Sequence, residues 1–148
     1  MQNTCNGCTL CCKLLAIPEL KKPLNTSCQF CAVGVGCNIY PNRPLSCRKF
    51  NCLYITGNLD KKLKPKDCHV VFEKLPNCAI YLALIDPDFP NAINEEVVKN
   101  QITQLLQNKF SVITSSGPNS TKNLMLAEGV TQEEVWTKVN QAYKLMNL

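Results

Sequence analysis

The chain has 148 residues, 45% of them hydrophobic and 18% charged, with a formal net charge of +5. That length allows one ordinary domain, or a small domain with a cysteine-rich appendage, and that apolar share excludes a mainly disordered chain. No apolar run approaches the roughly 20 residues of a membrane-spanning helix, and the longest, "AIYLALI" at 79–85, fits a buried strand.

The opening "MQNTCNGCTLCCKLLAI" lacks a basic start followed by an apolar stretch of signal-peptide length, so a cytoplasmic location is expected. Eleven cysteines is an odd number and cytosolic thiols stay reduced, which favours metal ligation over a disulfide framework. Nine of the eleven fall within residues 5–52. Cys5, Cys8 and Cys11 are spaced C-x2-C-x2-C, which lets thiolates converge on one point, as in ferredoxin-type loops and zinc knuckles. Cys12 diverges from its neighbour Cys11, which suits two centres, or two metals of one cluster, better than one tetrahedral ion. Cys28, Cys31, Cys37, Cys47 and Cys52 complete nine candidate ligands, enough for two four-thiolate sites with one spare. Cysteines serving only as small buried hydrophobes would not reach this density.

Lysines cluster at 21–22 and in "DKKLKPK" at 60–66, and both read as solvated turns. Eight thiolates holding two zinc ions would lower the net charge to about +1, so no nucleic-acid binding is argued from basicity. The chain's only two arginines, Arg43 and Arg48, flank Cys47 in "RPLSCR" among fourteen lysines elsewhere. A planar fork of donors there would offset thiolate charge and orient the ligand loop from behind.

Composition shifts near residue 67. Before it lie Pro18, Pro23, Pro41, Pro44 and Pro65, with Gly7, Gly34 and Gly36, a pattern of turns around something other than an apolar core. After it, "HVVFEKL" (69–75), "CAIYLALID" (78–86), "SVITSS" (111–116) and "NLMLAEG" (123–129) read as strands. Asn94 is placed to cap "EEVVKNQITQLLQNKF", with Val98, Ile102, Leu105 and Leu106 on one face. Thr131 and Glu134 form a capping-box pattern before "VWTKVNQAYKLM". The expectation is an α+β chain: a cysteine-rich irregular metal-binding knot over 1–67, then an antiparallel ββαββα region over 68–148, packed as one unit. Short connections at 76–77 and 117–122 favour antiparallel hairpins. Cys68 and Cys78 begin the first two strands and could stand near each other, and with His69, the only histidine, they could complete another metal site if a fourth ligand came from the N-terminal block; a strand-edge histidine and two half-buried cysteines are the plainer reading.

The series C-x2-C-x2-C-C, then C-x2-C-x5-C-x-I-Y-x2-R-P-x2-C-R-x-F-x-C, closely resembles the YkgJ-like family of zinc- or iron-chelating cysteine-cluster proteins. The likeness covers residues 5–53, about a third of the chain. Eight family cysteines correspond to Cys5, Cys8, Cys11, Cys12, Cys28, Cys37, Cys47 and Cys52, with Tyr40, Arg43, Pro44, Arg48 and Phe50 in register; Cys31 is an addition found in some branches. The resemblance implies metal binding, and it sets Tyr40 beside Arg43 and Arg48 behind the ligands. Some larger members look like flagellin lysine N-methylases, but this chain offers no glycine-rich motif for S-adenosylmethionine, since "SSGPNS" at 115–120 reads as a turn.

Four functions follow. The first is a metal-stabilised binding or adaptor module, with zinc preferred and a protein partner met through the α+β half. The second is an iron–sulfur redox protein or oxidoreductase component built on a [4Fe–4S]-type cluster. The third is metal storage or delivery. Thiol catalysis is the fourth, but no triad or carboxylate pair supports an enzyme: Asp86 and Asp88 in "DPDFP" fit turn chemistry. Metal ions are the expected partners, with no membrane and no nucleic acid.

Overall fold

A computed structural model describes residues 2–50, 52–116 and 122–146. The expected turn at 117–122 therefore lies, except for Lys122, outside the described residues. Before residue 70 the chain forms short elements: α1 (Leu10–Leu14), β1 (Cys31–Ala32), β2 (Gly36–Cys37), α2 (Leu45–Lys49), α3 (Leu53–Thr56) and α4 (Pro65–Cys68). Longer elements follow: β3 (Val70–Lys74), β4 (Ile80–Ile85), α5 (Glu96–Gln107), β5 (Ser111–Ser115), β6 (Asn123–Met125) and α6 (Gln132–Met146). The protein is thus mixed helix and sheet. Among the described residues no helix is long and apolar enough to cross a membrane.

The four long strands lie in the order β3-β4-β5-β6. This sheet is not the antiparallel one expected. The outer pairs are antiparallel, but β4 and β5 run parallel, with Ile80 opposite Ser111 and Leu84 opposite Ser115. The chain between them passes through α5, and such a crossover returns the next strand in the same direction, which a hairpin cannot do.

Strand alternation divides the apolar side chains between two faces. Val70, Phe72, Tyr81, Ala83 and Val112 pack against Val98, Ile102 and Leu105 of α5. On the other face Ile80, Leu82 and Ile113 meet Val135, Val139 and Ala142 of α6, while Val71 meets Leu10 and Leu14 of α1. Thr131 and Glu134 form the expected reciprocal cap of α6: the Glu134 amide donates to Thr131 Oγ1 at 3.2 Å, and the Thr131 amide donates to Glu134 Oε2 at 3.1 Å. Asn94 does not cap α5. It closes a 3-10 turn over Pro90–Asn94, leaving Glu95 at the N-cap without a side-chain hydrogen bond.

Cysteine-bearing elements are tied to the sheet at several points. Leu53 of α3 and Leu63 join the α5-side core, and Cys52 forms an isolated antiparallel bridge with Glu73 of β3. Lys13 of α1 pairs with Asp86 at 2.6 Å and Asp88 at 2.5 Å, beyond the end of β4. Buried Asn3 donates through Nδ2 to the Tyr54 and Leu59 carbonyls at 2.9 and 2.7 Å, fixing the chain two residues before Cys5.

Candidate metal centre

Two tight turns and three short helices present the cysteines. The Cys8 amide donates to the Cys5 carbonyl at 2.7 Å, and Gly7, at φ +73°, takes the position where a type II turn requires positive φ. A Cβ on Gly7 would also lie 3.3 Å from the Gly34 carbonyl oxygen, so the two cysteine loops touch through bare backbone. The Cys31 amide donates to the Cys28 carbonyl at 3.0 Å, closing a second turn. Cys31 and Cys37 then face each other across the β1–β2 hairpin, whose own turn carries Gly34 at φ +76°. Cys47 lies within α2, and Cys52 is the N-cap of α3. The Cys28 amide reaches the Cys12 carbonyl at 3.1 Å, joining the second block to α1.

The nine candidate sulfurs fall into two neighbourhoods linked through Cys12, which also influences the charge of Cys5. Cys12 and Cys28 influence the charge of Cys47 and of Cys31, and Cys37 that of Cys47. Thr9, Cys31, Cys12 and Cys11 are joined in a run of side-chain hydrogen bonds. Cys5 and Cys8 form the second neighbourhood with Cys52, whose charge they influence directly. Nearly all these shifts disfavour the thiolate. The hydrogen bond to Cys11, then burial, pushes the Cys12 thiol up strongly; burial raises Cys31 and Cys52 to about 11, and raises Cys5 and Cys47 as well. Without metal these five thiols stay protonated at neutral pH. A divalent ion entering here would displace protons as it bound.

Sequence reasoning missed Lys22, which is not in a solvated turn. Lys21 adopts a left-handed conformation (φ +52°) and stays exposed, whereas Lys22 turns inward and is only 8% exposed. Its Nζ donates to the Lys13 carbonyl at 3.2 Å, to the Pro23 carbonyl at 3.1 Å and to the Leu15 carbonyl. Cys28, Cys12, Cys47 and Cys11 are the groups around it that would favour its charged form, against burial, which lowers its pKa. Two adjacent lysines before a proline carry no signal separating the buried one from the exposed one.

The arginines are placed differently from one another. Arg43 lies 3.8 Å over the Tyr40 ring, donates from Nε to the Tyr40 carbonyl at 3.0 Å, and lowers the Cys5 pKa against the larger effects of burial and Cys8. Arg48 is exposed in the last turn of α2.

Cys68 and Cys78 do not stand together. In an antiparallel hairpin the start of each strand adjoins the end of the other, and Val70 lies opposite Ile85 while Lys74 lies opposite Tyr81. Cys68 belongs to α4 and is buried, which raises it to about 11. His69, at φ +60°, stacks on Phe89 with ring centroids 3.6 Å apart.

All eleven cysteines are free thiols, and among the described residues no three Cys, His, Asp or Glu side chains converge closely enough to enclose a metal ion. The donor chemistry fits a thiophilic metal, whose binding would need the sulfurs to close in. No family model, curated protein or solved structure matches the chain.

Proposed function

We propose that residues 5–52 bind metal through cysteine thiolates, zinc preferred, and that this centre folds and organises a small binding or adaptor module. Buried Lys22 is the observation that carries the reading. An ammonium removed from water costs several kcal/mol unless an opposite charge compensates it, and neutral thiols and carbonyls supply only dipoles. Four thiolates on a divalent ion carry a net charge of −2, which offsets the lysine.

The neighbourhoods suggest a division. Cys12, Cys28, Cys37 and Cys47 hold one ion: Cys12, Cys28 and Cys37 all act on the charge of Cys47, and Cys28, Cys12 and Cys47 act on that of Lys22. Cys5, Cys8 and Cys52 hold the other, with Cys11 assigned to them by the C-x2-C-x2-C spacing rather than by its neighbourhood, since its side chain lies by Cys12. Cys31 is the spare thiol, as the likeness to the YkgJ-like family also has it. The metal supplies charge and cross-linking in place of an apolar core, and the α+β half offers the surface for a protein partner. The module is read as acting in the cytoplasm.

The same sulfurs could hold a [4Fe–4S]-type cluster, the C-x2-C-x2-C run being the feature that favours a redox role. Protein purified without oxygen or added metal separates the two. About two zinc ions per chain, no acid-labile sulfide and no colour support the module. Iron and sulfide in equal amounts, with a brown solution, replace it by an iron–sulfur protein. Readily exchanged metal would favour storage or delivery, and protein without metal overturns all three.

A further inference from the structure

The face of the sheet that carries Leu82 and Ile113 is covered by α6 at one side and approached by α1 at the other. A cavity of about 800 Å3 stays open between them, within the size range of small-molecule sites. Its walls include Leu14, Leu82, Leu84, Ile113, Trp136 and Val139. At its mouth Leu24 and Leu45 are both 47% exposed, so apolar surface continues outward without cover.

Glu73 of β3 is the one charged group on this lining that is itself buried, at 8% exposure. It has no ion pair or hydrogen bond among the described residues. Among the described residues no fully enclosed side-chain oxygen or nitrogen lacks a partner, so the Glu73 oxygens open into the cavity. The other charges, Lys49, Lys122 and Glu19, sit exposed at the rim, with Glu19 already accepting from the Ser46 amide and hydroxyl at 3.0 and 2.8 Å. Water screens rim charges, whereas a buried carboxyl acts at short range in a poor dielectric.

We propose that this groove binds a small amphipathic amine, with its hydrocarbon part against the apolar walls and its ammonium on the Glu73 carboxyl. An ammonium at hydrogen-bond distance would favour the ionised carboxylate, so ligand and site each supply what the other lacks. The groove borders the cysteine loops, since Glu73 pairs with Cys52 and Ser46 lies on its lining, but the amine contacts named here are to the Glu73 carboxyl and the apolar walls.

Trp136, the only tryptophan, lines the groove and reports on its occupancy. The full-length protein, with whatever metal it retains, is titrated at pH 7.5 with decylamine, decanol and decanoate below their aggregation concentrations. The expected result is a saturable change in Trp136 fluorescence, with decylamine at least about tenfold tighter than the other two. Glu73→Gln should lose about that tenfold for decylamine and leave decanol unchanged. Should Glu73→Gln not fold, Asn140→Phe, placed on the exposed flank of α6, fills the groove and should weaken both decylamine and decanol. Decanoate binding most tightly, equal binding of all three, or the absence of saturation would overturn the proposal. So would Asn140→Phe binding both ligands normally.

Discussion

Two charged side chains that the sequence shows as ordinary, Lys22 and Glu73, are the ones the fold takes out of water. If the proposed thiolate centre forms, removing the Lys22 charge by Lys22→Met should cost about 3–5 kcal/mol in denaturant unfolding, since that centre would then keep its negative charge without a cation. Lys21→Met, on the exposed neighbour, should stay within about 0.5 kcal/mol. Equal effects would contradict the role given to Lys22. Glu73 gives a pH signature whose sign follows from its raised pKa, shifted by burial from 4.5 to about 7. Below pH 4.5 both folded and unfolded states are protonated. Between 4.5 and 7 the unfolded carboxyl ionises while the folded one keeps its proton, so stability falls across that window and is level above it. Glu73→Gln lacks this loss and should exceed the parent by roughly 1–3 kcal/mol at pH 8 but not at pH 4, read as shifts in urea midpoint. A gain of the same size at both pH values would contradict it. Cysteine positions were legible because spacing alone identifies turns such as Cys5–Cys8. Lys22 was not, because burial there depends on the left-handed Lys21 and the return of the chain to Ile17, with which Lys22 pairs.

Local patterns were informative at the level of elements where one short-range interaction dominates. Thr131 and Glu134 satisfy each other's backbone donors, a rule that spans only four residues. Thr131→Ala should therefore cost about 1 kcal/mol and fray the start of α6, seen as faster amide exchange at residues 132–134; unchanged exchange and stability would show the cap to be idle. The helical face of Val98, Ile102 and Leu105 was equally readable, and all three are buried under the sheet. Strand direction was not readable. The "PN" at 76–77 identifies a tight connection, with Asn77 at φ +57°, but nothing local to residues 86–110 states that α5 returns the chain parallel to β4. The same limit applies to Cys68 and Cys78, whose separation follows from the antiparallel register of β3 and β4. Asn94 failed as a cap because Pro90 starts a 3-10 turn that extends through it, so the helix begins two residues later.

Across the whole molecule, the cysteine-bearing elements lean on the sheet through Leu10 and Leu14 on one face and Leu53 and Leu63 on the other. Lys13 adds a pair to the buried side chain of Asp86; partial burial lowers the lysine pKa, but the hydrogen bonds to Asp86 and Asp88 outweigh this and raise it. The sheet has its own cores on both faces, whereas residues 20–50 bury few apolar side chains. Metal removal by a strong chelator should therefore unfold the cysteine loops while β4 and β5 keep their amide-exchange protection. Loss of protection throughout the chain would show a single cooperative unit, and no change at all would show that metal contributes nothing to folding. X-ray absorption at the edge of the retained metal examines the thiolate centre itself. Four sulfur neighbours at about 2.3 Å, with no oxygen or nitrogen in the shell, are expected for a zinc ion held wholly by these cysteines. A shell dominated by oxygen or nitrogen near 2.0 Å would contradict it.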